Sequence, residues 1–262
     1  TVLLKPSEYS KNTSCILEEI IKEVFDEGFV SVIKGGPKIA SKLLDIQWDY
    51  IFFTGSVRIG KIVAEKAAKF LTPTTLELGG KNPCVVDETV SLKTAAKRIV
   101  WGKFINCGQT CLAPDFLIVN KKIKKNFINE LINQIKILYS KNPEQSDSYG
   151  RIIGEKHLNY LSSLLIDQKI VHGGKTDIKN KYFEPTIVEI DNFDSKLMED
   201  EIFGPILPIY TYEDFNEIDQ IVKKYKNPLA LYIFTKKREF GEQFLHKYSF
   251  GGGAINDTVI HV

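Results

Sequence analysis

Four cysteines, at positions 15, 84, 107 and 111, are all the sulfur chemistry that 262 residues offer apart from one methionine. So sparse a set, with no secretory segment seen, argues against a disulfide framework as the source of stability. Long apolar runs are also lacking: the longest, PLALYIFT, is strand-sized and well short of the roughly 18 residues a spanning helix needs. No charge of one sign dominates. Thirty-five basic residues face 33 acidic ones, giving a net charge of +2 and a pI near 8.1. That balance argues against nucleic acid or an anionic membrane as a partner. Arginine is scarce, at positions 58, 98, 151 and 238 only, and lysine reads bases poorly. His157, His172, His246 and His261 show no ligand spacing and the cysteines form no second pair, so no metal site is expected. The hydrophobic content of 43% is enough for a sizeable core.

The chain also lacks an initiating Met, and it opens and closes inside apolar, strand-like stretches, TVLLK and GGGAINDTVIHV. The expectation is a protein truncated at both ends. Between them, elements alternate. VLLK reads as a strand closed by Pro6. Ser10 is placed to cap a helix striped by Ile16, Ile20, Ile21 and Val24, which Gly28 stops. FVSVIKGG, YIFFTGS and TTLELGG read as strands, the continuously apolar YIFFTGS as one covered on both faces, with helices after Gly36-Pro37 and over VRIGKIVAEKAAKF. This β-α-β-α-β-α-β order favours a parallel sheet. The predicted fold class is α/β: a partial Rossmann-like cofactor domain over residues 1–79, then an α/β thiol-bearing domain over 80–262. Residues 141–150 and 172–180 are polar and read as exposed loops.

Several short stretches bear chemistry, each with an ordinary structural alternative. In FFTGSVRIG a strand ends at Gly55 and a helix starts at once, an arrangement suited to phosphate. Ser56 supplies a hydroxyl and Gly60 a close approach to sheet or cofactor; equally, this is a tight βα turn. In LKPSE, Lys5 and Glu8 follow the first strand, where open α/β sheets bind ligands, but they also describe an exposed charge pair. Glu77, in LELGGK, sits between Leu76 and Leu78. It either faces solvent or is desolvated enough to act as a general base. Cys107 and Cys111 bracket a Gly-Gln-Thr spacer in NCGQTC. A buried thiol is the common fate of a cysteine, whereas an exposed one on a loop of backbone N–H groups is a candidate nucleophile. In MEDEIFGP, Glu201 and Phe203 have no evident packing duty, and an acidic helix end is the plain alternative.

Taken in order, LKPSE, FFTGS with its later Gly, TLELGGKNP, NCGQTC, DEIFGP and the terminal GGGAIND resemble the aldehyde dehydrogenase superfamily along essentially the whole chain. FLTPTTLELGG and WGKFINCGQTCLAPD look most like the branch that includes fatty aldehyde dehydrogenases. The resemblance implies oxidation of an aldehyde to a carboxylic acid, with hydride transfer to NAD, or alternatively NADP. It assigns the nucleophile to Cys111, leaving Cys107 a bystander, and the water-activating base to Glu77. It assigns the nicotinamide ribose to Glu201, the nicotinamide face to Phe203, the adenosine ribose to Lys5 and Glu8, and the pyrophosphate to Ser56, with Gly36, Gly55 and Gly60 along the cofactor path.

The departures from the family pattern bear on activity. The family's second oxyanion donor, an Asn side chain, lies upstream of LKPSE and outside this chain. Elements that build the family's homodimer are likewise expected beyond it, and some members of the branch carry a C-terminal membrane anchor. The isolated chain is therefore expected to be poorly stable or inactive alone, with a catalytically inactive fragment that only binds cofactor or partner as the second reading. A third, a CoA-acylating relative, is disfavoured by Glu77. Cytoplasm is the default compartment.

Overall fold

The computed structural model describes residues 1–261, in two compact units, Thr1–Leu78 and Gly79–Val262. The first unit runs β1 (Val2–Leu4), α1 (Lys11–Val24), β2 (Val30–Val32), α2 (Pro37–Leu43), β3 (Ile51–Gly55), α3 (Val57–Ala68) and β4 (Thr74–Leu78). All its strand pairing is parallel, as the alternating order predicts, but the strands join as two separate pairs, β1–β2 and β3–β4, instead of one four-stranded sheet. Tertiary pairing of this kind leaves no trace in local periodicity. Ser10 does precede α1, yet its side chain makes no cap bond. Instead Ser14, one turn on, donates to the Ser10 and Ser7 carbonyls at 2.8 and 3.2 Å. Helix α1 ends at Val24, and Gly28 takes its left-handed φ of +91° in the turn beyond. The unit leaves Val2, Phe29 and Phe52 59%, 67% and 66% exposed.

The second unit holds the main core. It continues β5 (Pro83–Val86), α4 (Leu92–Phe104), β6 (Phe116–Asn120), α5 (Lys124–Tyr139), α6 (Glu155–Leu164), β7 (Lys169–His172), β8 (Thr176–Asp177), β9 (Tyr182–Phe183), β10 (Thr186–Glu189), β11 (Ile206–Tyr212), α7 (Phe215–Lys224), β12 (Ala230–Phe234), α8 (Arg238–Lys247) and β13 (Gly252–Ile255). Seven strands form a sheet ordered β13-β12-β5-β6-β11-β10-β7, parallel throughout except for β7. Every residue of β5, β6 and β12 is buried, as continuous apolar runs dictate when helices cover both faces of a sheet. Side chains such as Leu117, Ile118 and Phe234 each contribute roughly 1.5–3 kcal/mol on leaving water. Asp214 caps α7, accepting from the Asn216 and Glu217 amides at 2.7 and 3.3 Å.

The segment 141–150 is not wholly exposed. Pro143 and Tyr149 are buried, and Tyr149 donates to the Phe183 carbonyl at 2.9 Å. Residues 172–180 include the end of β7 and β8, which pairs with β9 just beyond the segment. Among the described residues no helix is long and apolar enough to cross a membrane.

Candidate active site

Within the first unit, Lys5 and Glu8 form an ion pair at 3.4 Å beyond β1, half-buried, with the Lys5 ammonium also donating to the Pro6 carbonyl at 3.0 Å. Gly36 is the residue before α2, and Gly55 closes β3. Ser56 caps α3, its hydroxyl accepting from the Ile59 amide at 3.4 Å. The remaining N–H groups of that first turn have no partner within the helix. Gly60 is buried and packs the helix on its own strand: a Cβ there would lie 2.7 Å from Leu78 Cδ2. Glu77 is exposed. Strand alternation sends Leu76 and Leu78 to one face and Glu77 to the other, so of the two sequence expectations the solvent-facing one holds.

The second unit builds the thiol loop. Helix α4 stops at Phe104, and the chain turns through three consecutive left-handed residues, Asn106 (φ +50°), Cys107 (φ +56°) and Gly108 (φ +73°). Cys107 points into the core, its thiol donating to the Tyr149 hydroxyl at 3.4 Å; burial pushes it up to about 11. Burial pushes the fully enclosed Cys84 thiol up as well. Cys15 is exposed, and Cys111 alone of the four is half-buried. No disulfide joins them.

This loop is held from several sides. Asn82 donates to the Cys111 and Ala113 carbonyls at 2.7 and 3.1 Å. The Gln109 amide donates to the Asn106 and Arg151 carbonyls at 3.0 and 2.9 Å and accepts from the Ile153 amide at 2.8 Å. Gly108 lies directly on the Gly204 peptide, where an added Cβ would overlap the Gly204 carbonyl and lie 2.9 Å from Pro205 N. The thiol loop and the EIFGP segment thus touch backbone to backbone.

On that segment Phe203 is 38% exposed with φ +51°, its carbonyl 2.8 Å from His157 Nε2. Glu201 is half-buried and accepts from the Gly80 amide. Burial first, then repulsion by Asp115, raises its carboxyl to about 7. Gly79 makes room for it, since any Cβ there would overlap the carboxylate. Behind Glu201 lies a buried charge cluster. Lys81 pairs with Asp115 Oδ2 and donates to the carbonyls of Leu197 and, at 3.0 Å, Asp200. Asp115 Oδ1 accepts from the Ile202 amide at 3.1 Å. Lys103, 1% exposed, is 4.0 Å from Asp115, and burial lowers it to about 8.

Sequence reasoning missed Lys81, Asn82, Lys103, Gln109 and Asp115. The available signal was single charges set in or beside wholly apolar elements: Lys103 among Ile99, Val100 and Phe104, and Asp115 against FLIVN. Among the described residues no group of three or more His, Cys, Asp or Glu could hold a metal ion. The arrangement offers a partly accessible thiol, a loop of fixed N–H groups, and a carboxylate and an aromatic ring on the neighbouring loop.

Residues 1–262 match the family described as "Aldehyde dehydrogenase family". Among curated relatives, the 4,4'-diaponeurosporen-aldehyde dehydrogenase of Staphylococcus aureus is 43% identical over 264 residues, covering 100% of this chain and 58% of the relative. The "Aldehyde dehydrogenase, dimeric NADP-preferring" of Rattus norvegicus is 40% identical over 261 residues, with 100% and 58% covered. A solved structure of S. aureus AldH in a substrate-bound state superimposes with a TM-score of 0.97 at 42% identity, covering 99% of this chain and 57% of that one. An NAD+ complex of a Mycobacterium tuberculosis aldehyde dehydrogenase gives 0.90 at 26%, covering 100% and 56%. The chain spans a little over half the length of these relatives.

Proposed function

The chain belongs to the aldehyde dehydrogenase family and has its α/β fold, and from that premise we propose that it carries the cysteine chemistry of an NAD(P)-dependent aldehyde oxidation. The observation that bears most weight is the contrast among the thiols. Cys84 and Cys107 are buried and pushed toward the protonated form, whereas Cys111 is half-buried on a clamped loop that abuts the segment bearing Glu201 and Phe203.

In this reading the Cys111 thiolate adds to the aldehyde carbon, forming a C–S bond and an oxyanion that accepts a hydrogen bond from the Cys111 N–H. Loss of the carbon-bound hydrogen as hydride leaves a thioester. Water, giving its proton to Glu77 in a role that rests on the family motif because the carboxyl is exposed and not desolvated, then adds to that carbonyl, the C–S bond breaks, and the carboxylic acid and free thiol are released. NAD or NADP, when bound, accepts the hydride.

The residues present fit such a cofactor. Glu201 is a carboxylate fixed by the Gly80 amide, suited to ribose hydroxyls, and Phe203 shows an exposed ring. The first turn of α3 beside Ser56 suits a pyrophosphate, with Gly36, Gly55 and Gly60 along the path and Lys5 and Glu8 suited to the adenosine ribose. The Glu8 carboxylate disfavours a 2′-phosphate, so NAD is the expected cofactor and NADP the alternative. The substrate class is an aldehyde. For a longer form we propose a homodimer, by analogy with the rat relative that is described as dimeric.

The test is competitive alkylation followed by peptide mass mapping. Cys111 should react faster than Cys84 and Cys107 and be protected by NAD with an aldehyde, while Cys15 reacts without protection. Labelling of Cys111 that is as slow as that of Cys84, or indifferent to both ligands, would refute the assignment.

A further inference from the structure

The dipeptide Lys81-Asn82 enters the buried sheet at β5, and its two side chains leave in different directions. Lys81 is only 6% exposed, and its ammonium reaches across to the carbonyls of Leu197 and Asp200. Asn82, 1% exposed, spends its amide N–H groups on the Cys111 and Ala113 carbonyls, and its Oδ1 accepts from the Ala230 amide at 2.9 Å. Asp115 closes the arrangement. Its own amide donates to the Asn82 carbonyl at 2.9 Å, one carboxylate oxygen pairs with Lys81, and the other takes the Ile202 amide. The peptides on both sides of Glu201 are therefore held, Asp200 through its carbonyl and Ile202 through its N–H. A buried lysine or aspartate costs free energy unless it is satisfied by partners. Here Lys81 and Asp115 neutralise each other, with Lys103 4.0 Å from Asp115, and their remaining partners are backbone groups of the 197–202 segment, so the hub and that segment hold each other in place.

We propose that Lys81, Asn82 and Asp115 are positioning residues forming one hub with two arms. Lys81 with Asp115 fixes the 197–202 segment that presents Glu201, and Asn82 fixes the loop that presents Cys111. The hub sets the thiol loop and the carboxylate in register. The functional meaning of that register rests on the reading of Cys111 and Glu201 given above; the hub itself is a statement about loop order.

Hydrogen exchange on the full chain, resolved by peptide, tests it without cofactor. Lys81→Met should speed exchange over 197–202 by about tenfold, as expected when charge-assisted bonds to a segment are lost. Exchange over 109–113 should stay within about twofold, the scatter expected where no hydrogen bond is lost. Asn82→Ala should do the reverse, with added exchange at Ala230. Lys81→Arg, which keeps the cation and its donors, should restore most of the protection. If Lys81→Met does not fold, Lys81→Met/Asp115→Asn removes the whole ion pair while an amide oxygen remains for Ile202 and Lys103, without its carboxylate neighbour, is free to deprotonate in its buried site, and the same pattern is expected. Uniform loosening of both segments, or no change in either, would overturn the proposal. Calorimetric titration with NAD and the Cys111 alkylation rate then separate the arms functionally. Lys81→Met should weaken NAD by about tenfold and spare alkylation, and Asn82→Ala should alter alkylation first. A wild-type chain that binds no NAD counts against the functional reading and leaves the exchange result standing.

Discussion

The Glu201 carboxyl provides a pH-dependent test of the buried cluster. Its value rises from 4.5 to about 7, mainly through burial and then through the nearby Asp115. The native state thus holds this proton more tightly than the unfolded chain does. Below pH 4.5 the carboxyl is protonated in both states and there is no penalty. Between 4.5 and 7 the native state binds more protons, so stability falls as pH rises, and above 7 the whole penalty is felt. The shift corresponds to roughly 3 kcal/mol. Glu201→Gln keeps the size and an acceptor for the Gly80 amide but cannot ionise. In cofactor-free protein its stability should match wild type near pH 4.5 and exceed it by about 3 kcal/mol near pH 7.5. Lys103, lowered to about 8 by burial, gives stability that grows with pH between about 8 and 10.5, a window above that of Glu201.

The assay is urea unfolding at several pH values, followed by the fluorescence of Trp101 in the second unit, with Trp48→Phe in both proteins to remove the first unit's signal. A wild-type-to-variant difference that stays flat from pH 4.5 to 8, or one that favours wild type at the alkaline end, would show that Glu201 is charged and satisfied in the native state.

Three substitutions extend the reasoning. Gly79→Ala would put a methyl into the Glu201 carboxylate, the mobile end of a side chain, so the carboxylate should move. Melting should change little, NAD should bind roughly tenfold more weakly, and the pH slope above should flatten. Gly108→Ala meets backbone at Gly204 and Pro205 and also needs φ +73°. It should cost about 2–4 kcal/mol in denaturant midpoint analysis, and an unchanged midpoint would contradict the close approach of the two loops. Cys107→Ala should cost about 1–2 kcal/mol, leave Cys111 alkylation unchanged and remove one reactive thiol only after unfolding; a slowed Cys111 would show that Cys107 is more than a structural anchor.

The sequence singled out candidate residues more readily than the framework around them. Cys111, Glu77, Glu201 and Phe203 lie in short runs whose order resembles a family pattern, whereas YIFFTGS, read as a strand covered on both faces, forms β3 with alternating burial and Phe52 66% exposed; the strands buried on both faces are β5, β6 and β12. The exposure of Glu77 was implicit in period-two alternation between Leu76 and Leu78. What stayed hidden were consequences of long-range packing. Lys81 and Asp115 are 34 positions apart, and their pairing arises only when the sheet folds. Gln109 looked like a spacer, although its partners Arg151 and Ile153 arrive from more than 40 residues away. The separation of the first unit into two strand pairs also depends on packing between βα units, about which local patterns are silent.

The left-handed run explains why two cysteines four apart have opposite surroundings. Asn106 and Cys107 each accept a conformation that costs a non-glycine residue on the order of 1 kcal/mol or more, and Gly108 follows without that penalty. Such a turn survives only when its neighbours over-determine it. Gln109 bridges to Asn106, Arg151 and Ile153, and the Cys107 thiol is secured on Tyr149. The turn drives Cys107 down into apolar packing, where its thiol is held protonated, and lifts the chain so that Cys111 emerges half-buried beyond it. One cysteine anchors the loop and the other is presented by it, so the inertness of Cys107 is part of what makes Cys111 available.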